Sequence, residues 1–472
     1  MSKYDSIKLA HQYYRDVFTK EFILGDVGDL PREIIFDVLI KREINTYELN
    51  KKLLKVDTHL PPDDEKKLFL MLNAIAMSNL ALNDKWGGKN VRLPDEYINM
   101  IIGCIDDIIH LGMNVEYLVV SIQLLFRIGA IEHAVNLIEN NFSILDEIPS
   151  IYNLLLTICI FEKDYAAAIP LVQKITKQPE LLGQDILIMM MILTTIFKNG
   201  GYPDSYIDFT SILNKKTLLP LNYYSWVLDA RESNNKPTIV IACDNRYYFE
   251  HAISLLYSIY ENNKHEFNVH FHVYNISNQV FIDIEKKKNR FLELNISCST
   301  ESFDDSKDCN VHYASRRFVF ANHMLSKVSG DVLILDADSL VRNPWSMINA
   351  SVSKDADIII TKDEASPFWE DICAGFVYLR NTSKSKSFIK KVACFIWNNI
   401  EQGNTNWFLD QVALSAVFDK DKNSIHAHRI ELSLLFDINH RENSFMWTIT
   451  SVKDGKTRFH DYKVFLNNKY AI

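Results

Sequence analysis

Cysteine is scarce in this chain, and its spacing fits neither a disulfide framework nor a zinc site. The seven cysteines are scattered, odd in number and never spaced as CxxC: Cys104, Cys159, Cys243, Cys298, Cys309, Cys373 and Cys394. Small secreted scaffolds and structural zinc sites need cysteines in regular pairs, which excludes both classes. We expect all seven to be reduced thiols, as in a cytoplasmic protein.

The chain also lacks an excess of positive charge. It has 51 Lys and Arg against 60 Asp and Glu, which gives a formal net charge of −9. No cluster of basic residues stands out along the sequence. Proteins that bind nucleic acid need such a cluster to neutralise phosphates, so we expect no nucleic-acid partner.

Long apolar stretches are missing as well. The longest uncharged run, residues 186–197, is shorter than the roughly 20 residues that a membrane-spanning helix needs. We interpret this run as a buried core helix and expect no transmembrane segment. Residues 1–16 are polar and aromatic without an apolar centre, so no signal peptide is expected there.

With 472 residues, the chain is long enough for two or three domains. Residues 1 to about 230 have apolar side chains at three- and four-residue spacing, which predicts helices almost throughout. We predict a helical region at 1–90 with a loop at 84–90, helical repeats at 91–232, and a different domain at 237–472.

The helical half contains an internal repeat. Phe126, Phe161 and Phe197 are separated by 35 and 36 residues. Each phenylalanine is placed at the end of one predicted helix, before a polar turn and a second amphipathic helix. The spacing is close to the ~34-residue period of tetratricopeptide helix pairs. We therefore predict a short tetratricopeptide-like solenoid.

Stacked helix pairs of this type expose a concave face that commonly binds a peptide or a protein. The predicted solenoid would then bind an acceptor or a protein partner. Two alternatives stay open: the repeats form a rigid spacer, or they form a homodimer interface.

A different pattern begins after the polar stretch at residues 231–237. Thr238–Cys243 is a β-branched run without polar alternation, as in a strand that is buried on both faces. Candidate strands then alternate with candidate helices. The strands are 267–274, 294–297 and 332–335, and the helices are 248–259, 283–292 and 316–328. This alternation predicts an α/β domain with a mostly parallel sheet, and the fold class of the whole chain is α plus α/β.

Two aspartates follow the buried strand at 332–335. Asp336 and Asp338 lie where ligands bind in such sheets, at the carboxyl ends of strands. Two close carboxylates repel unless a cation lies beside them, and oxygen ligands suit Mg²⁺ or Mn²⁺ together with phosphate oxygens of a substrate. A second pair, Asp355 and Asp357, precedes an apolar run instead of ending one, and we interpret it as a surface turn.

The segment around Asp336 resembles the Asp-x-Asp signature of GT-A glycosyltransferases, especially the retaining family that includes glycogenin and bacterial lipopolysaccharide galactosyltransferases. The resemblance runs through most of 237–472. It includes the opening strand with Asp244, the arginine-bearing helix at 315–325, the strand at 373–381, the helix at 407–414 and the late histidine at 458–460.

This resemblance implies a function and a set of site residues. It implies transfer of a sugar from a nucleotide-diphosphate sugar to a protein or glycan acceptor, with retention of configuration and with Mn²⁺ or Mg²⁺. Asp336, Asp338 and His460 would hold the metal. Asp244, Arg316, Ala337, Gly375 and Lys463 would bind the nucleotide sugar, and Asp410, Gln411 and Arg317 would act at the reacting sugar.

The chain departs from the family pattern at two places. Cys373 stands where the family has Asn before an Ala-Gly pair, and His460 is not followed by the usual Gly and Trp. One alternative is therefore a non-catalytic tetratricopeptide scaffold with a degenerate glycosyltransferase domain. A sugar nucleotidyltransferase is a third possibility, but residues 243–248 lack the glycine-rich loop that it would carry.

Overall fold

The chain divides into two units. By internal contacts these are Met1–Thr195 and Ile196–Ile472. The computed structural model describes residues 24–80, 93–178, 186–213, 224–304, 307–363, 366–449 and 457–471, and the predicted loop at 84–90 lies outside them. The division falls earlier than the boundary that we predicted near residue 232. Residues 196–213 and 224–232 pack within the second unit.

The described part of the first unit is helical, as the apolar spacing predicts. Side-chain caps begin several helices: Asn114 accepts from the backbone N–H of Tyr117 at 2.9 Å, and Asp164 accepts from that of Ala167 at 3.0 Å. A short 3₁₀ turn spans Gly25–Asp29, and a π-helical turn spans Phe36–Lys41. The α-helices are Arg32–Ile35, Thr46–Leu53, Pro62–Asn79, Asp95–His110, Val115–Arg127, Ile131–Asn140, Phe142–Leu145, Pro149–Phe161, Tyr165–Lys177 and Ile186–Lys198.

Two of the three predicted repeats are helix pairs. Val115–Arg127 precedes Ile131–Asn140, and Pro149–Phe161 precedes Tyr165–Lys177. The third copy was predicted wrongly, because no helix lies among residues 199–209 after Phe197. Gly200, with φ +90°, ends the helix there. Two pairs do not make the three or more repeats of a stable solenoid, so a tetratricopeptide-like solenoid is not confirmed.

The second unit contains an eight-stranded mixed sheet. Its strands are β1 Ser225–Leu228, β2 Thr238–Cys243, β3 Asn268–Tyr274, β4 Ser297–Glu301, β5 Val332–Leu335, β7 Ile358–Lys362, β8 Phe376–Leu379 and β9 Ala427–Glu431, and β6 Leu340–Val341 lies outside this sheet. The order in the sheet is β1-β4-β3-β2-β5-β8-β7-β9. Neighbours β4, β3, β2 and β5 run parallel, β8 is antiparallel to both β5 and β7, and β9 is parallel to β7.

Strand β1 was missed by the sequence analysis, which predicted helix up to about residue 230. It is the edge strand and pairs antiparallel with β4, about seventy residues later. A second, three-stranded sheet joins β10 Phe436–Asp437, β11 Met446–Trp447 and β6. The pairings of β1 with β4 and of β6 with β11 are long-range in sequence, which is why local periodicity does not indicate them.

Helices cover the large sheet, and most agree in type with the prediction. The predicted strand at 294–297 lies later, at β4, and a 3₁₀ turn occupies Leu292–Leu294. The α-helices are Asn245–Tyr247, Ile253–Asn263, Asn278–Arg290, Cys309–Lys327, Trp345–Asn349, Ser383–Glu401, Leu409–Asp421, Leu432–Leu435 and Arg458–Tyr470, with a π-helical turn at Tyr248–Ala252.

The strand order places the candidate site. β2 lies between β3 and β5, so the order reverses there, and the carboxyl ends of β2 and β5 meet at one edge of the sheet. Crevices at such a reversal are the usual ligand sites of α/β sheets. Asp244 follows β2 and Asp336 follows β5, so both predicted site residues lie at this edge.

Candidate active site

The pairing of β5 with β8 brings Gly375 beside Asp336. Because the two strands are antiparallel, the first residue of β8 pairs with the last residue of β5, and the Asp336 N–H donates to the Gly375 carbonyl at 3.1 Å. A Cβ on Gly375 would meet the Phe436 ring and would come within 2.7 Å of Asp336 Oδ2. Only a glycine lets the backbone approach this carboxylate so closely.

Arg317 links the two carboxylates that the sequence analysis assigned to different motifs. Its Nη1 contacts Asp336 Oδ1, and its Nη2 lies 3.2 Å from Asp410 Oδ2. The guanidinium and the Asp410 carboxylate are both nearly buried, at 8% and 9% side-chain exposure. A buried arginine between two carboxylates is a fixed cation with several donors, which suits a phosphate or a sugar hydroxyl nearby. The structure brings Arg317, Asp336, Gly375 and Asp410 together.

Asp410 is held by the start of helix Leu409–Asp421. Phe408 precedes this helix with φ +70°, a left-handed conformation that an aromatic residue rarely adopts. The backbone N–H of Gln411 donates to Asp410 Oδ1 at 2.9 Å. Backbone strain of this kind concentrates at functional sites, where the surrounding structure stabilises it.

Asp338 lies on the other side of the buried Ala337 and is half-buried. Burial raises the pKa of the Asp338 carboxyl, and the nearby charges of Arg317 and Lys463 oppose this shift. Burial likewise lowers the pKa of Lys463, whereas Glu250 and Asp338 favour its charged form. Lys463, the lysine implied by the resemblance, lies in this part of the structure with its Nζ 3.4 Å from His251 Nδ1. Lys469 instead pairs with Glu261 at 2.8 Å.

Asp244 caps the short helix after β2, where its Oδ1 accepts from the Tyr247 N–H at 2.7 Å. Burial raises the pKa of the Tyr247 phenol, and the negative charge of Asp338 raises it further. His251 lies 4.8 Å from the Tyr247 ring centre and 3.4 Å from Lys463 Nζ. Sequence reasoning missed Tyr247 and His251. Their positions along the helix that follows Asp244 are the only signal that points to them.

Arg316 faces away from this group. It lies 3.4 Å from Glu301 and stacks on Phe303 with its guanidinium carbon 3.9 Å from the ring centre. It is buried against these partners, so the structure does not bring Arg316 to the group around Asp336, although the resemblance implied that it binds the nucleotide sugar. Consecutive residues of a helix point about 100° apart, so only Arg317 reaches Asp336.

His460 does not form a cluster with Asp336 and Asp338. It lies exposed in the first turn of helix Arg458–Tyr470, where its N–H donates to Thr457 Oγ1 at 3.2 Å. Across the described residues, no group of three His, Cys, Asp or Glu side chains is arranged to hold a metal ion. The donor chemistry of Asp336 and Asp338 alone fits Mg²⁺ or Mn²⁺, which commonly use one or two carboxylates and complete their shell with water and phosphate.

The second acidic pair differs from the first. Asp355 is exposed, as predicted, but Asp357 is buried and accepts from Thr382 Oγ1 at 2.8 Å and from the His426 N–H at 3.0 Å. The interpretation as a surface turn therefore holds for Asp355 only. Asp357 has a structural role at the start of β7.

Residues 280–465 match the family model described as nucleotide-diphospho-sugar transferase, a span of less than half of the chain. This match supports sugar transfer from a nucleotide-diphosphate sugar. No curated protein matches the chain. No helix in the described ranges is long and apolar enough to cross a membrane.

Several solved glycosyltransferase structures resemble the chain weakly. The apo glycosyltransferase GlyE of Streptococcus pneumoniae TIGR4 has 14% identity and a TM-score of 0.35 over 50% of this chain and 63% of GlyE. The galactosyltransferase LgtC, in complex with donor and acceptor sugar analogues, has 14% identity and a TM-score of 0.34 over 49% of this chain and 95% of LgtC. Mouse xyloside xylosyltransferase 1 has 11% identity and a TM-score of 0.31 over 47% of this chain and 99% of its own. At these scores the likenesses establish neither fold nor function.

Proposed function

We propose that the second unit is a metal-dependent, retaining glycosyltransferase that transfers a sugar from a nucleotide-diphosphate sugar to a protein or glycan acceptor. The observation that carries this proposal is the Arg317 guanidinium between Asp336 and Asp410, at the edge where β2 and β5 end. The family match over residues 280–465 supports the same donor class.

Each residue of the site has a role in this proposal. Asp244 and its capped turn would bind the nucleoside, and Lys463 would bind the diphosphate. Asp336 and Asp338 would hold Mn²⁺ or Mg²⁺, which when bound neutralises charge on the leaving diphosphate. Gly375 leaves room for the sugar beside Asp336, and Arg317 orients Asp410 and Gln411 toward the reacting carbon.

His460 stays a candidate third metal ligand, by resemblance alone. His460→Ala would weaken Mn²⁺ binding and donor binding together if the histidine reaches the ion in the donor complex. An unchanged Mn²⁺ titration would restrict the protein ligands to the two aspartates.

The first unit would bind the acceptor or a protein partner, and a homodimer interface is the alternative for it. A second candidate function is a non-catalytic scaffold with a degenerate site. Cys373 in place of the family's asparagine favours it.

The proposal is tested with the purified full chain and a panel of nucleotide sugars in Mn²⁺. Release of nucleoside diphosphate identifies the donor even without an acceptor, because water can serve as a slow acceptor. Arg317→Met should abolish this release, whereas Arg380→Met, at an arginine outside the site, should not. A chain that binds a nucleotide sugar but never releases diphosphate would favour the scaffold.

A further inference from the structure

Asp208 is a buried carboxylate that belongs to none of the predicted motifs. Its Oδ2 accepts from Asn398 Nδ2 and Gln402 Nε2, both at 3.0 Å, and its Oδ1 accepts from the Thr210 N–H at 2.7 Å. Its backbone also pairs with the Asn399 side chain, with N–H···Oδ1 at 2.6 Å and Nδ2–H···O at 2.9 Å. Asp208 therefore binds three side chains at the end of helix Ser383–Glu401.

This placement is electrostatically unfavourable without its partners. The carboxyl end of a helix carries partial negative charge, which disfavours an anion. Burial raises the pKa of Asp208, but hydrogen bonds from Thr210, Gln402 and Asn398 outweigh burial, and the pKa lies below its ordinary value. The network thus holds the Asp208 side chain in one geometry through three hydrogen bonds, which indicates a more specific role than filling a core.

The loop that begins at this helix end leads directly to Asp410. Residues 402–408 connect helix Ser383–Glu401 to helix Leu409–Asp421. Asn406 Nδ2 donates to the Tyr206 carbonyl, two residues before Asp208. Thr405 Oγ1 donates to Asp308 Oδ2 at 2.6 Å, at the start of the helix that carries Arg317. The loop is therefore fixed from two sides.

The same region of the chain also holds the helix that carries Asp410. Lys198 Nζ lies 3.2 Å from Asp419, and Lys420 Nζ lies 5.2 Å from the Phe197 ring centre and 5.0 Å from that of Tyr202. Phe209 packs edge-on against Phe395, with ring centres 5.3 Å apart. Residues 202–213 thus contact both helices that flank the loop.

We infer that residues 202–213 are a clamp that positions Asp410 for the reaction, and that Asp208 is its positioning residue. The clamp fixes the end of one helix and the loop after it, so that the strained turn at Phe408 presents Asp410 to Arg317. This inference rests on the proposed function. Positioning matters because a shift of ~1 Å at a reacting group can cost roughly 100-fold in rate.

The test uses the full chain with Asp208→Ala, which removes the acceptor from Asn398, Gln402 and Thr210. We expect kcat to fall about tenfold or more while the KM for the donor changes little. Hydrogen exchange should increase in the peptide that covers residues 402–411. Asp208→Asn keeps one oxygen that can accept from the Thr210 N–H. Its new side-chain NH2 can donate to Asn398 and Gln402 once these amides turn their oxygens toward it, so this conservative variant should retain most of the activity.

A matched control separates positioning from general stability. Tyr378→Phe removes a partly buried hydrogen bond elsewhere in the second unit, in the large sheet, from Tyr378 Oη to Asp331 Oδ2 at 2.8 Å. It should lower Tm without lowering kcat. If Asp208→Ala fails to fold, Asn406→Ala removes the contact with the Tyr206 carbonyl from a half-exposed loop and should give the same kcat and exchange changes.

Unchanged exchange at residues 402–411, or loss of kcat in proportion to Tm in both Asp208→Ala and Tyr378→Phe, would overturn the clamp. If the wild-type chain turns over no nucleotide sugar, the proposed function fails instead. In that case the exchange measurement alone decides whether Asp208 orders the loop.

Discussion

At the scale of single residues, the site is organised by opposite charges placed close together. Asp336 has Arg317 as its partner, and Asp338 lies near Lys463 and has a pKa raised by burial. A bound cation would pair with the carboxylates of this group, and a bound diphosphate would pair with its basic side chains. Substitutions that remove one charge should therefore affect donor binding more than folding.

Asp336→Ala and Asp338→Ala should each abolish turnover and leave the fold intact, because in the proposed function these carboxylates would hold the cation that binds the diphosphate. Nucleoside diphosphate release and circular dichroism measure the two effects. Asp355→Ala is the matched control, since Asp355 is exposed, and should change stability by no more than about 0.5 kcal/mol. Turnover at the wild-type rate in a chelator would show that the metal assignment is wrong.

His251 should make the stability of the chain depend on pH. Burial, with Lys463 and Arg246 nearby, lowers the pKa of His251 from 6.5 to about 4. The unfolded chain then binds this proton at higher pH than the folded chain does, so acidification favours unfolding. The contribution is complete above pH 6.5 and is lost as the pH falls toward 4.

Urea unfolding at several pH values measures this contribution. His251→Gln keeps an acceptor for Lys463 but does not titrate, so its unfolding free energy should depend less on pH between 6.5 and 4. Identical pH slopes for the two proteins would contradict the assignment.

At the scale of elements, the close approach of β8 to Asp336 depends on one missing side chain. The Cβ of an alanine at 375 would overlap the Phe436 ring and crowd Asp336 Oδ2 at 2.7 Å. Neither neighbour can move easily, since Phe436 belongs to β10 and Asp336 directly follows β5. The short second sheet and the large sheet therefore meet at Gly375.

Gly375→Ala should destabilise the chain by about 1–3 kcal/mol through overpacking and should also reduce donor turnover. Thermal unfolding and diphosphate release check the two parts. Gly103→Ala is the control, because a Cβ there meets no atom within 4 Å and Gly103 lies inside helix Asp95–His110. That change should stabilise the chain by about 0.5–1 kcal/mol. Full activity in Gly375→Ala would show that the sugar does not lie against this strand.

At the scale of the whole molecule, the division between the units determines where a truncated chain should begin. The sequence placed the boundary near residue 232, but residues 196–213 include the clamp, and β1 closes one edge of the sheet. A chain that begins near Asn234 would lack both. The useful comparison is therefore between two truncated chains, one beginning at Ile196 and one at Asn234.

The chain that begins at Ile196 should bind nucleotide sugar and hydrolyse it slowly, and the chain that begins at Asn234 should lose most of this activity. Calorimetry and diphosphate release on monodisperse samples measure both. Transfer to the true acceptor should fall in either chain if the first unit positions the acceptor. Full transfer by the chain from Ile196 would favour the spacer or dimer role of the helical unit.

The sequence by itself determined the class of each half and the position of the acidic pair. Helical periodicity and the buried runs at β2 and β5 are local signals, because a helix face or a buried strand needs certain side chains at fixed spacing. Strand alternation also places Asp244 and Asp336 at one edge of the sheet, before any contact is known. The seven cysteines are all free in the structure.

Only the tertiary structure decided that Arg317, and not Arg316, contacts Asp336, and that Lys463 lies near Asp338. It also decided that His460 lies apart from the two aspartates and that β1 and Asp208 belong to the second unit. Each of these depends on contacts between residues far apart in sequence, such as Arg317 with Asp410 or Asp208 with Asn399. Periodicity reports which face of an element is buried, and it carries no information about the partner that buries it. The prediction of a third helix pair after Phe197 was wrong because it rested on local spacing alone. Residues 199–209 look like the beginning of another helix pair, but the helix ends at Gly200, and Asp208 and Phe209 contact helix Ser383–Glu401 instead of extending a repeat.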